Sequence, residues 1–275
     1  MQPDVRFLKQ PQEFWAFIRF ILVTIGYSMK SGRRKGESVV RDYTLEEIRK
    51  IALASGIDDR LASDALLYLK HRTRVLNDSV RHFLMNRAEA AQEYRKLIKN
   101  YKPSCHLPFN KQKGSKKHLA YFTCIINILT EKKLGASTFE DNPGRFITIK
   151  DSKGKLIATL SRRIDGAYPS LDNPKALWEI KEYYGTTTFG SRVADGVYET
   201  QLDGYELRET EKLVSHRIGH YLFIDDYYTW WDCGRSYLCR LIDIMHMGLV
   251  DEVIFGREVL RRWPVIIDSW SKVTK

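Results

Sequence analysis

Apolar positions recur at helical spacing through the first hundred residues, and strand-like runs appear only in the second half. Pro11 opens an apolar helix (FWAFIRFILVTIGYSM, Phe14 to Met29), and a basic, glycine-flanked loop, Ser31 to Glu37, follows it. Thr44 with Glu47 three positions on predicts a capping box. The helix it starts carries Leu45, Ile48, Ile51 and Ala52 on one face and stops at Gly56. Asp58 or Asp59 starts the next helix, with Leu61, Ala65, Leu66 and Leu69 continuing the stripe. Val75 to Tyr101 also reads as helix. The stretch Lys102 to Lys117, with two prolines, a glycine and five lysines, reads as a linker or exposed loop.

Beyond that stretch, an amphipathic helix is predicted over Leu119 to Lys133, then strands over Arg145 to Lys150, Leu156 to Ile164 and Ala176 to Tyr184. Asp151 to Gly154 forms the turn of a hairpin. A helix over Phe189 to Leu213, a strand over Gly219 to Asp225, a helix over Arg235 to Met247 and a strand over Glu252 to Phe255 complete the order. Three strands followed by strand–helix alternation predict a mixed α/β fold: a mixed sheet flanked by helices, preceded by an all-α part. The expected division is a basic helical domain over residues 1–110 and an α/β domain over residues 111–275.

Charge sharpens this division. The 275 residues carry a formal net charge of +11. Residues 1–120 hold 24 Lys and Arg against 12 Asp and Glu, so the whole excess is N-terminal and the second half is nearly neutral. A basic chain of this size is expected to meet a polyanion, most commonly nucleic acid. Abundant apolar and aromatic residues exclude global disorder. Four irregularly spaced cysteines exclude a disulfide scaffold. The run from Phe14 is too short to span a bilayer, Arg19 interrupts it, and it lacks a small-residue cleavage site, so no membrane segment is expected and the protein reads as cytoplasmic.

Candidate chemistry concentrates between Arg162 and Arg192. Period-two alternation places Glu179 and Lys181 on one face of a strand and Trp178 and Ile180 on the other. A carboxylate and an ammonium on an otherwise core-like strand are costly to bury unless something uses them. Asp165 lies at the end of the preceding strand. If strands 156–164 and 176–184 pair as a hairpin, both carboxylates come close together. Adjacent carboxylates repel unless a cation lies between them, and Mg²⁺ prefers such oxygen ligands.

Asp165, Glu179 and Lys181, read as D-x13-E-x-K within this element order, resemble the PD-(D/E)xK nuclease superfamily, which includes most type II restriction endonucleases. The resemblance covers roughly residues 116–260, with Ile164 standing where the pattern often has proline. It implies that Asp165 and Glu179 ligate Mg²⁺, with the carbonyl of Ile180 as a further ligand. Lys181 would then orient or deprotonate the attacking water. The implied protein is a sequence-specific double-stranded DNA endonuclease leaving 5′-phosphate and 3′-hydroxyl ends, working as a homodimer.

Other positions suggest DNA contacts. Thr186, Thr187 and Thr188 lead into a helix whose N-terminus could take a phosphate, with Thr187 or Thr188 as cap, and Ser191 and Arg192 lie in its first turn. Arg33, Arg34 and Lys35 form a second candidate contact. Glu199 reads as a solvated helical residue or a further acid, and Asp172 as a turn-former. His216 and His220 lack the pattern of a zinc site. The competing reading is a nucleic-acid-binding regulator without hydrolytic activity, with a nuclease acting on RNA or branched DNA between the two.

Overall fold

The computed structural model describes residues 1–28, 39–110, 118–135, 138–184, 190–214 and 217–272. The N-terminal part is helical: α1 (Gln12–Ile25), α2 (Leu45–Ala54) and α3 (Asp59–Val75). Thr44 and Glu47 form the predicted capping box at α2, and Asp58 caps α3 by accepting the Leu61 amide. These helices close over Phe14, Phe17, Ile18, Ile21, Ile48, Ala65, Tyr68 and Leu69.

The helix predicted from Val75 to Tyr101 is not continuous. A π-helical stretch, Leu76–Val80, leads into the single turn α4 (Arg81–Phe83), and the chain then extends at Leu84. It restarts as α5 (Arg87–Ile98) behind a second capping box, Asn86 with Glu89. The break has a tertiary cause: the Met85 amide donates to the buried carboxylate of Asp225, 2.7 Å away, instead of to a helical carbonyl.

The second half begins with α6 (Tyr121–Leu134) and a two-stranded antiparallel ribbon, β1 (Thr148–Lys150) and β2 (Leu156–Thr159), joined by the expected turn. The main sheet has the order β3 (Gly166–Tyr168), β4 (Ala176–Glu182), β5 (Gly219–Asp225) and β6 (Glu252–Phe255). β3 runs antiparallel to β4, while β4, β5 and β6 are parallel. α7 (Ser191–Glu211) and α8 (Arg235–His246) make the crossovers, and α9 (Val259–Lys272) follows β6.

The strand expected over 156–164 therefore stops at Thr159 and pairs with β1, not with β4. The antiparallel partner of β4 is the three-residue β3, which begins just after Asp165. Leu160 and Ile164 leave the ladder to enter an apolar cluster with Ile147, Leu177 and Leu207. The mixed α/β architecture itself is as expected, a mixed sheet between helices. Leu222, Ile224, Val253 and Phe255 face α7 and α8, whereas Trp178, Phe223 and Ile254 face α6 and α9.

Two glycines fix close approaches. A Cβ on Gly166 would fall 2.1 Å from the indole of Trp178 across the β3–β4 pair. On α7, a Cβ at Gly204 would fall 2.5 Å from the carbonyl oxygen of Leu249, so the helix backbone lies directly against the loop before β6. The helical part is joined to the sheet by a buried ion pair. Arg72 on α3 donates to both carboxylate oxygens of Asp243 on α8 at 3.0 Å, and Tyr68 also donates to Asp243. Among the described residues, no helix is long and apolar enough to cross a membrane.

Candidate functional site

β4 is the middle of the arrangement. Its alternation sends Trp178 into the aromatic layer under α9 and sends Glu179 and Lys181 to the α7 face. Glu179 is 1% exposed and Lys181 is 7% exposed. Asp165 enters from the turn before β3. Its amide donates to the Trp178 carbonyl at 3.2 Å, and its carboxylate accepts the Ile180 amide at 2.8 Å. The aspartate thus replaces a strand residue at the point where the β3–β4 ladder has ended. Its charge acts on Glu179, Lys181 and Glu199.

α7 supplies the other wall. Gly196, Glu199, Thr200 and Asp203 recur at helical spacing along its inner face. A Cβ on Gly196 would stand 3.3 Å from Cδ of Lys181, so this glycine makes room for the lysine stem. The Lys181 ammonium donates to Glu199 at 2.7 Å and to Glu179 at 3.1 Å. Arg162 meets the same acids from the segment after β2. Nη1 lies 2.6 Å from Asp203 Oδ2 and 3.0 Å from Glu179 Oε1, and Nη2 donates to Glu179 at 3.1 Å and to Glu199 at 3.3 Å.

The carboxylates of Asp165, Glu179, Glu199 and Asp203 outnumber the cations of Arg162 and Lys181, and the electrostatics follow. Burial, then the charge of Asp165, pushes the Glu179 carboxyl above its ordinary value against the pull of Lys181 and Arg162. Burial pushes Asp203 up to about 6. For Lys181, burial works downward, but Glu179 and Asp165 outweigh it and hold the ammonium protonated. Burial also opposes ionisation of Glu199, yet Lys181 and Arg162 bring its carboxyl below the usual range. Glu179 Oε1, although 3.0 Å from Arg162 Nη1, accepts no aligned hydrogen bond, and Asp203 Oδ1 is buried without a donor. Among the described residues, no three His, Cys, Asp or Glu side chains form a ready metal cage; the acids converge on a guanidinium instead.

A family model described as a domain of unknown function (DUF7687) matches residues 85–270, and another domain of unknown function (DUF7690) matches residues 1–79. The chain belongs to the DUF7687 family. No curated protein and no solved structure matches it. Every member of the charged cluster lies within the DUF7687 segment. The two matched segments meet between residues 79 and 85, just before the helix break at Leu84. The Arg72–Asp243 pair crosses that junction.

Of the residues singled out from sequence, the DUF7687 fold brings Asp165, Glu179, Ile180 and Lys181 together. Ser191 and Arg192 are exposed in the first turn of α7, whose described span opens at Ser191, while Phe189, the expected start of the helix, lies outside the described residues. Gly190 occupies the cap position at φ 139°, and among the described residues no side chain caps the helix. Tyr183, a neighbour of Lys181 and Glu199, donates to the Arg192 carbonyl at 3.0 Å and joins this turn to the cluster. Arg33, Arg34, Lys35, Thr186, Thr187, Thr188 and His216 lie outside the described residues. Asp172 sits apart from the cluster, paired with Arg145 at 3.0 Å in its turn.

Sequence reasoning passed over Arg162 and Asp203 and favoured solvent for Glu199. Asp203 carried a signal: it falls on the buried stripe of Val193, Gly196, Val197, Thr200 and Leu207, where an isolated acid needs a partner. Arg162 alternates with Leu160 and Ile164, both buried. The pairing of Glu199 had no local signal, because it depends on how α7 crosses β4.

Proposed function

We propose that this DUF7687 chain is a Mg²⁺-dependent nuclease of the PD-(D/E)xK type that hydrolyses double-stranded DNA as a homodimer, in the manner of a type II restriction enzyme. The observation that carries the reading is the joining of Asp165 to the Ile180 amide, between Glu179 and Lys181 on the face of β4 turned to α7. Two further features support it. Acids exceed bases in the cluster, and buried carboxylate oxygens without a donor are hard ligands of the kind Mg²⁺ takes. The N-terminal excess of Lys and Arg suits a phosphate backbone.

In this reading Asp165, Glu179 and the Ile180 carbonyl hold the cation, which supplies Lewis-acid stabilisation of phosphoryl charge. Lys181, kept protonated by its acidic neighbours, orients the attacking water and balances charge on the phosphorus rather than acting as the base. Water forms the new bond to phosphorus as the bond to the 3′ oxygen breaks; the attacking water gives up a proton to surrounding solvent and the departing 3′ oxygen takes one up, leaving a 5′-phosphate and a 3′-hydroxyl. Ser191 and Arg192, exposed beside the cluster, are placed to meet DNA.

Nicking of supercoiled plasmid in Mg²⁺ tests the proposal. The wild type should nick, and Asp165→Asn, Glu179→Gln and Lys181→Met should each lose at least ~100-fold, the scale of removing one preorganised electrostatic group. Normal cutting by all three variants would refute the assignment. Discrete fragments would favour a sequence-specific enzyme, and a smear a nonspecific one. The pairing of Arg162 with three of the four acids favours a second reading, DNA binding without hydrolysis. That reading predicts gel-shift binding in Mg²⁺ with the plasmid intact.

A further inference from the structure

Arg162 occupies the point where three carboxylates meet. Two of them, Glu179 and Asp203, are 1% and 0% exposed, while the Arg162 side chain is 22% exposed and, with Glu199, reaches solvent. Arg162 belongs to no strand, since β2 ends at Thr159 and β3 begins at Gly166. The backbone that carries it is therefore not fixed at Arg162 by a strand ladder. Nor does the guanidinium satisfy the acids fully: its 3.0 Å contact with Glu179 Oε1 is not an aligned hydrogen bond, and Asp203 Oδ1 keeps no donor. A guanidinium presents flat, directional N–H groups, whereas a divalent ion draws oxygens from all sides.

Resting on the nuclease reading, we propose that Arg162 is a resident counter-ion that competes with a divalent cation for Glu179, the one assigned metal ligand it touches, while anchored on Asp203. It holds the acids in place while the cation is absent. Once displaced, its guanidinium lies on the solvent side of the site, where a phosphate is its natural bidentate partner. Arg162 is on this account a positioning residue for the metal ligand Glu179, and it sets the cation concentration at which the site fills.

Mn²⁺ binding to the full chain, followed by the electron paramagnetic resonance signal of free Mn²⁺, tests this without reference to cleavage. Arg162→Met should bind Mn²⁺ at least tenfold more tightly than the wild type, and adding Glu179→Gln should remove the gain. Arg162→Lys, still cationic but unable to span three acids, should fall between. If the wild type binds Mn²⁺ in a Glu179-dependent way and Arg162→Met binds no more tightly, the counter-ion role is wrong and the metal site stands. If neither protein binds Mn²⁺, both ideas fail. Should Arg162→Met lack folded circular dichroism, Arg162→Met/Asp203→Asn removes one charge of each sign. Compared with Asp203→Asn alone, it should still bind more tightly, and equal binding overturns the proposal.

Discussion

Replacing Asp243 by Asn tests whether the helical part and the sheet fold as one unit. Arg72 is fully buried, and its ion pair with Asp243 joins α3 to α8 across the junction between the two matched family segments. Nε and Nη2 of Arg72 have no hydrogen-bond acceptor, and the nearby Tyr27 and Tyr68 rings, about 6 Å away, supply only weak cation–π attraction. Asparagine keeps the shape of Asp243 but removes the counter-charge. Breaking a buried pair on one side costs about 3–5 kcal/mol. At roughly 2–4 °C per kcal/mol for a chain of this size, the melting temperature should fall by about 6–20 °C. Removing both charges, in Arg72→Met/Asp243→Leu, should recover most of the loss. Thermal melts give the melting temperature, and urea melts followed by circular dichroism and by tryptophan fluorescence give the free-energy loss and show whether the variant still unfolds in one transition. A loss under about 1 kcal/mol for Asp243→Asn would refute the reasoning, as would a double variant no better than the single one.

Acid should weaken the same region. Burial holds His71 down to about 4 and keeps His246 below its ordinary value, with His246 Nε2 accepting the Asp4 amide and Nδ1 facing the Ile242 carbonyl. Below pH about 6.5 the unfolded chain takes up these protons and the folded chain does not, so stability falls as pH drops toward 4; His71 accounts for roughly 2–3 kcal/mol. Comparing melts at pH 7 and pH 4.5 for wild type and His71→Gln should show a shallower slope in the variant, and parallel slopes would contradict the assignment. Gly166→Ala places a methyl inside the Trp178 ring and should cost about 3 kcal/mol or more in a thermal melt; wild-type stability would mean β3 does not lie where described. Gly196→Ala meets only movable side-chain atoms, at 3.0 Å from Tyr183 and 3.3 Å from Lys181, and gains up to about 1 kcal/mol of helix propensity. Its stability should stay close to wild type while plasmid nicking drops about tenfold from a displaced Lys181, and undiminished nicking would show that the lysine position is unimportant.

Local chemistry made much of this protein legible. The capping box at Thr44 and the strands at Ala176, Gly219 and Glu252 follow from side-chain pattern and cap chemistry, which act over a few residues. Features set by distant partners were hidden. The helix breaks at Leu84 because Asp225, about 140 residues away, takes the Met85 amide. The pattern around Leu160 looked like continued strand because its apolar residues are buried, though in an apolar cluster beside the ladder. α9 was passed over, although its Trp263 and Trp270 pack directly on Trp178 at the face of the sheet. At the site, alternation along β4 identified Glu179 and Lys181, but the route that brings Arg162 beside them is a property of the assembled fold.

The contact between Gly204 and Leu249 has a bearing on any attempt to engineer this scaffold. Because the helix backbone meets Leu249 directly there, the rotation and height of α7 hold for as long as residue 204 stays glycine. Glu199 and Asp203 ride on that helix, so their spacing from β4 behaves as a fixed dimension. New specificity is better sought by changing which groups project from this frame than by shifting the frame itself.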